Sequence, residues 1–196
     1  MTKILILSLI LSFISCASSS ETAPEVVSPT GEKVKILDKD ELILGTSFLK
    51  GTEITRDKNG NLKQAILNSE QALLDEKYSK AIPHKFPVGT IVLYSSPKNT
   101  FGEAIPYPEF PKSITVRKPV SVFGYGFPAG SSFSISTAPG TPKNKKDAIP
   151  GIYVENTMYE LTINGKKVQG GSTIFLEDKD KAKQLKNPKK GEWIDL

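Results

Sequence analysis

The chain has almost none of the residues from which most catalytic and metal sites are built. It contains one cysteine, one histidine and one tryptophan in 196 residues. A single cysteine excludes an internal disulfide framework, and one histidine beside one cysteine excludes a His/Cys zinc cage. There is no His-Glu-x-x-His pair, no Gly-x-Ser-x-Gly elbow and no Asp-x-Asp-x-Asp-Gly calcium loop. Charge of one sign is also scarce. The net charge is +5, and cations and acids mostly alternate, as in Asp178-Lys179-Asp180-Lys181. A nucleic-acid binder concentrates its cations in a stripe, so that class is set aside.

Long hydrophobic runs are missing too. The longest is Ile4–Ile14, broken only by Ser8 and Ser12, after Met1-Thr2-Lys3. As a helix it rises about 16 Å, roughly half a hydrocarbon core, so it is too short to span and reads as the apolar core of a secretory leader. Behind it stands Phe13-Ile14-Ser15-Cys16, then Ala17-Ser18-Ser19-Ser20. This stretch resembles the lipobox of bacterial lipoproteins, in a relaxed form similar to that of spirochaetes. The resemblance implies removal of residues 1–15 and acylation of Cys16. It also implies attachment to a bilayer of the cell envelope, expected to be the outer membrane. An ordinary cleavage site is the alternative. Two or three acyl chains at about 0.8 kcal/mol per buried methylene anchor a protein without a spanning helix. Residues 16–33, with Ser18–Ser20, Pro24, Pro29 and Gly31, are expected to be a flexible tether.

What the chain has in quantity is turn formers, 15 glycines and 14 prolines, against 38% hydrophobic residues. That balance favours short strands over long helices. One short pattern recurs: apolar, two variable residues, Gly, Thr or Ser, any residue, apolar. It appears as Phe48–Ile54, Phe86–Val92, Phe127–Phe133 and, degraded, Val168–Ile174. Its glycines Gly51, Gly89, Gly130 and Gly171 are 38, 41 and 41 residues apart. A period near forty suggests a repeat architecture.

Each unit reads as an apolar run, a lead into the glycine, the glycine step, and a short run containing Ala-Ile. The apolar runs are taken as Val34–Leu37, Ala72–Leu74, Ile114–Val116 and Ile152–Val154. The leads are Leu42–Leu44, Ala81–Ile82, Val120–Phe123 and Leu161–Ile163, and the Ala-Ile signatures stand at Ala65, Ala104 and Ala148. Asn59-Gly60 and Asn164-Gly165 are hairpin signals. The fold expected over residues 34–196 is therefore all-β: a repetitive short-strand meander, or a small sandwich or open barrel, of about four ~40-residue units. At most one or two short helices are expected. Ser69–Lys77 has helix propensity but falls where the repeat asks for a strand, and a strand is expected there; Asp178–Leu185 is a candidate short helix. Trp193-Ile194 is expected as a last strand. The region vaguely resembles repeat-built β-meander proteins of the MORN-variant type, and no residue role follows from that resemblance.

Candidate contact residues are few. Pro106-Tyr107-Pro108-Glu109-Phe110-Pro111 reads as a proline–aromatic segment in which Tyr107 and Phe110 could meet a partner. Tyr125, within Phe123-Gly124-Tyr125-Gly126-Phe127, is the third. His84 is expected in an exposed loop. No catalytic, cofactor or metal residue is assigned. The reading is a non-catalytic, membrane-anchored envelope protein making structural or adhesive contacts with protein or glycan. A periplasmic assembly accessory, a cell-wall hydrolase with a carboxylate pair, and a carrier with a closed apolar barrel stand as alternatives.

Overall fold

The structure, a computed structural model, describes residues 25–73, 84–95, 110–137, 139, 150–155, 159–178, 181–187 and 191–196. The leader, Cys16, Tyr107 and the signatures at Ala104 and Ala148 lie outside the described residues.

All described elements are strands. β1 (Val26–Val27) and β2 (Lys33–Ile36) open the chain. A short hairpin, β3 (Glu41–Ile43) and β4 (Thr46–Phe48), leads to β5 (Glu53–Arg56) and β6 (Leu62–Ile66). The second hairpin is β7 (Gln71–Ala72) with β8 (Lys85–Phe86), followed by β9 (Ile91–Leu93) and β10 (Ser113–Thr115). The third is β11 (Val120–Val122) with β12 (Tyr125–Phe127), followed by β13 (Ser132–Thr137) and β14 (Pro150–Val154). The fourth is β15 (Leu161–Ile163) with β16 (Lys166–Val168). The chain closes with β17 (Ile174–Asp178), β18 (Lys181–Asn187) and β19 (Glu192–Asp195).

Eleven strands form one antiparallel sheet in the order β1-β2-β5-β6-β9-β10-β13-β14-β17-β18-β19. The four hairpins are separate two-stranded ribbons. Each is inserted between two neighbouring strands of the large sheet. The strand order follows the chain order throughout, so the sheet is an open meander with β1 and β19 as its edges. This decides among the expected all-β forms: the order is open, not closed into a barrel.

Register places one row of residues directly opposite each other across seven strands: Ile54, Ala65, Val92, Ile114, Phe133, Val154 and Ile174. None is more than 2% exposed. Phe48, Phe86, Phe127 and Val168, which end the four hairpins, are at most 3% exposed and belong to the same core. Phe127 meets Phe133 edge-on at 5.2 Å, and Phe86 meets Phe133 at 6.1 Å. The first and last apolar residues of the recurring heptapeptide are thus the two sides of one hydrophobic layer, hairpin and sheet. Each such buried side chain contributes roughly 1.5–3 kcal/mol.

The glycine between them makes the turn. Gly51, Gly89, Gly130 and Gly171 all have φ between +81° and +88°, a region a Cβ makes costly. At three of them the local hydrogen bonds are the same. Gly51, Gly89 and Gly130 donate to Leu37, Leu67 and Val116 O, each at 2.7 Å, and those three residues donate back to Thr52, Thr90 and Ser131 O. Thr52, Thr90, Ser131 and Ser172 each donate to the carbonyl three residues back.

Four details differ from the sequence reading. Ile66-Leu67 takes the place assigned to Ala72–Leu74; Ala72 lies instead in a hairpin strand. Strand pairing is already present at Val26, inside the expected tether, because Ser28 accepts from Gly31 N and its Oγ from Glu32 N, closing a turn onto β2. Lys181–Asn187 is a strand, not a helix, paired on both sides by β17 and β19. Asn59-Gly60 is not a two-residue hairpin. Only Gly60 has positive φ, and Asp57 closes the connection by accepting from Asn59 N (2.8 Å) and Asn61 N (2.9 Å).

Candidate functional site

The hairpins cover one face of the sheet, and the other face carries a mixed surface. At its C-terminal end that reverse face bears a second, smaller cluster. Phe175 is 1% exposed yet stands apart from the main core. It lies 4.7 Å from the Tyr153 ring, and Tyr153 lies 5.9 Å from Trp193. Tyr153 is on β14 and Trp193 on β19, three strand spacings or about 14 Å apart along a flat sheet. Their rings nonetheless meet, with Phe175 on the intervening strand β17 packed against Tyr153. Gly151 makes room: a Cβ there would stand 2.3 Å from Phe175 Cζ. Burial raises the Tyr153 phenol to about 12.

Two pockets flank the sheet ends. One, of about 150 Å³, lies at the N-terminal margin among Lys33, Lys35, Arg56, Glu25 and Glu41, over Leu37 and Ile54. Its charges are already paired: Lys33 with Glu25 at 2.9 Å, Arg56 with Glu41 at 3.4 Å, Lys35 with Glu41 at 3.8 Å. The other, of about 360 Å³, lies at the C-terminal margin among Glu177, Lys181, Lys183 and Asp195. Lys181 pairs with Glu177 at 3.8 Å. A glycosidase acid needs a carboxyl kept protonated by apolar surroundings. Glu25, Glu41 and Glu177 instead face cations. Among the described residues no three His, Cys, Asp or Glu side chains gather to hold a metal, and no helix is long and apolar enough to cross a membrane.

Of the three contact candidates, Phe110 and Tyr125 are among the described residues. Tyr107 is outside the described residues. Phe110 is buried in the core at 6% exposure rather than presented on the surface. Tyr125 is half-buried on β12, and its hydroxyl donates to Asn164 Oδ1 in the turn of the fourth hairpin. It joins two hairpins rather than standing free. His84 is not in the open either. Its Nε2 is buried without a partner, its ring packs edge-on to Phe86 at 5.0 Å, and burial lowers its pKa.

Sequence reasoning missed the Tyr153–Phe175–Trp193 cluster. Register alone puts Tyr153 and Phe175 opposite each other, but Trp193 comes from a strand three positions away, which carries no sequence signal. No family model matches the chain, and no curated protein or solved structure matches it significantly.

Proposed function

We propose that the chain is a lipid-anchored envelope protein whose sheet acts as a non-catalytic presenting surface for structural or adhesive contacts. Acylated Cys16 holds it to the outer membrane, and the four hairpin-and-glycine steps are copies of one unit. The observation that supports this best is the strand order. Because it follows the chain, the N-terminal strand is one edge and the C-terminal strand is the opposite edge. Ten strand spacings separate them, about 48 Å. A chain anchored nine residues ahead of β1 therefore carries its far edge well away from the attachment point. The cations paired with Glu25, Glu41 and Glu177 favour this reading over the hydrolase. The partner is a protein or a glycan, and no cofactor is invoked.

The test is protease shaving of intact and lysed cells beside a periplasmic control protein. The adhesive reading expects loss of the domain from intact cells while the control survives. Cleavage only after lysis overturns it in favour of a periplasm-facing assembly accessory.

A further inference from the structure

The aromatic cluster on the reverse face and the larger pocket are parts of one surface. Across β14, β17, β18 and β19, register sets Tyr153, Phe175, Lys183 and Asp195 in a single row. Trp193 stands two residues before Asp195 on β19 and so shares its face. Phe175 belongs to both parts. Its ring packs against Tyr153, and it lines the pocket of about 360 Å³ with Glu177, Lys181, Lys183 and Asp195. That volume lies within the range of about 300–1,000 Å³ common for small-molecule sites. Tyr153 and Trp193 are each only partly buried. The row is aromatic at one end and charged at the other.

The charges in the pocket do not select an ionic ligand. Lys181 and Lys183 stand against Glu177 and Asp195, two of each sign. Lys183 and Asp195 are opposite in register, yet no ion pair joins them among the described residues, and the Lys181–Glu177 pair is loose at 3.8 Å. Ammonium donors and carboxylate acceptors therefore stand side by side with hydrogen-bonding capacity to spare. A ligand that uses both, and lies against aromatic rings, needs hydroxyls beside an apolar face and no net charge. A pyranose ring has these features: its hydroxyls donate and accept, and its axial C–H groups stack on aromatic rings. We propose that the Tyr153–Phe175–Trp193 cluster and the adjoining pocket bind a neutral oligosaccharide, one sugar ring against the aromatic end and its neighbour's hydroxyls bonded to Lys183 and Asp195. This narrows the partner in the adhesive reading above to a glycan, and it rests on that reading.

The chain has one tryptophan, Trp193, so its emission reports this site and no other. The test titrates the full chain, extracted from membranes in a detergent without a sugar headgroup. The probes are cellotriose, maltotriose and the trimer of N-acetylglucosamine, with a sulfated heparin tetrasaccharide as the charged comparison. A neutral trimer is expected to shift the emission at millimolar concentration and to protect Trp193 from acrylamide quenching, and the heparin fragment to do neither. Lys183→Ala and Asp195→Asn are each expected to weaken that binding about tenfold while leaving the urea midpoint unchanged. No response to any neutral trimer overturns the proposal. So does a response to the heparin fragment alone, or one that both substitutions leave intact. A chain that is shaved from intact cells but gives no response keeps the adhesive reading, with a protein as its partner, and loses this site. Cleavage of a bound trimer would keep the site and sink the non-catalytic reading.

Discussion

Gly130 sits at φ +88° on the step from the third hairpin into β13, and Gly89 repeats the geometry at +81°. A β-branched side chain in that region costs about 1–3 kcal/mol. Gly130→Val should lower the urea midpoint accordingly. Gly126→Ala, at a glycine with open space around it and no positive φ, should change stability by less than about 0.5 kcal/mol. Equal effects from the two would refute the turn argument. His84 gives a pH signature. Burial lowers its pKa from 6.5, and the charge of Glu70 offsets this only in part. The unfolded imidazole takes up a proton as the pH falls below 6.5, while the folded one resists. Stability should therefore fall below that pH and level off once the folded ring titrates too. His84→Gln should flatten the difference between urea midpoints near about pH 7.5 and about pH 5.5; an unchanged difference would assign the effect elsewhere. At this scale much was legible. Thr52, Thr90 and Ser131, one residue past the glycine, are all buried, and their recurrence in the sequence marked the step. His84 was not legible, because its burial comes from Phe86 and the rest of its surroundings rather than from the two flanking prolines.

Among the hairpins, Asn164-Gly165 has both residues at positive φ, as the Asn-Gly pair foretells. Leu44-Gly45 and Phe123-Gly124 have the same geometry, and no propensity rule would place Leu or Phe there. Their turns are imposed by Ile43 and Phe48, and by Val122 and Phe127, which anchor both strands of each hairpin in the core. Leu44 thus carries strain on a side chain that is 43% exposed. Leu44→Asn should raise the thermal midpoint, with a gain on the order of 0.5–1 kcal/mol. A lower midpoint would mean that Leu44 contributes packing. The strands at Gln71 and Lys181 show tertiary structure overriding local preference. Ser69–Lys77 has helix propensity but is expected as a strand from the repeat, and its described part holds strand Gln71–Ala72, where the buried Gln71 amide accepts from Leu49 N at 3.2 Å and donates to Ser47 O at 3.4 Å. It ties the second hairpin to the first, which a helix there would not do. Lys181–Asn187 is rich in helix formers, and its pairing on both sides decides otherwise.

For the whole molecule, period-two apolar patterning and turn residues sufficed for the all-β class, because an open meander is built from contacts between neighbouring strands. The meeting of Trp193 with Tyr153 was not legible, since it joins β14 and β19 across two intervening strands. The account as a whole depends on Cys16 being the attachment point from which the sheet extends. The direct measurement is the mass of the mature N-terminal peptide from purified membranes. The expected result is a peptide that begins at Cys16 and carries the mass of a diacylglyceryl group, with or without a further acyl chain. A peptide bearing an unmodified Cys16, or beginning beyond it, would contradict the account.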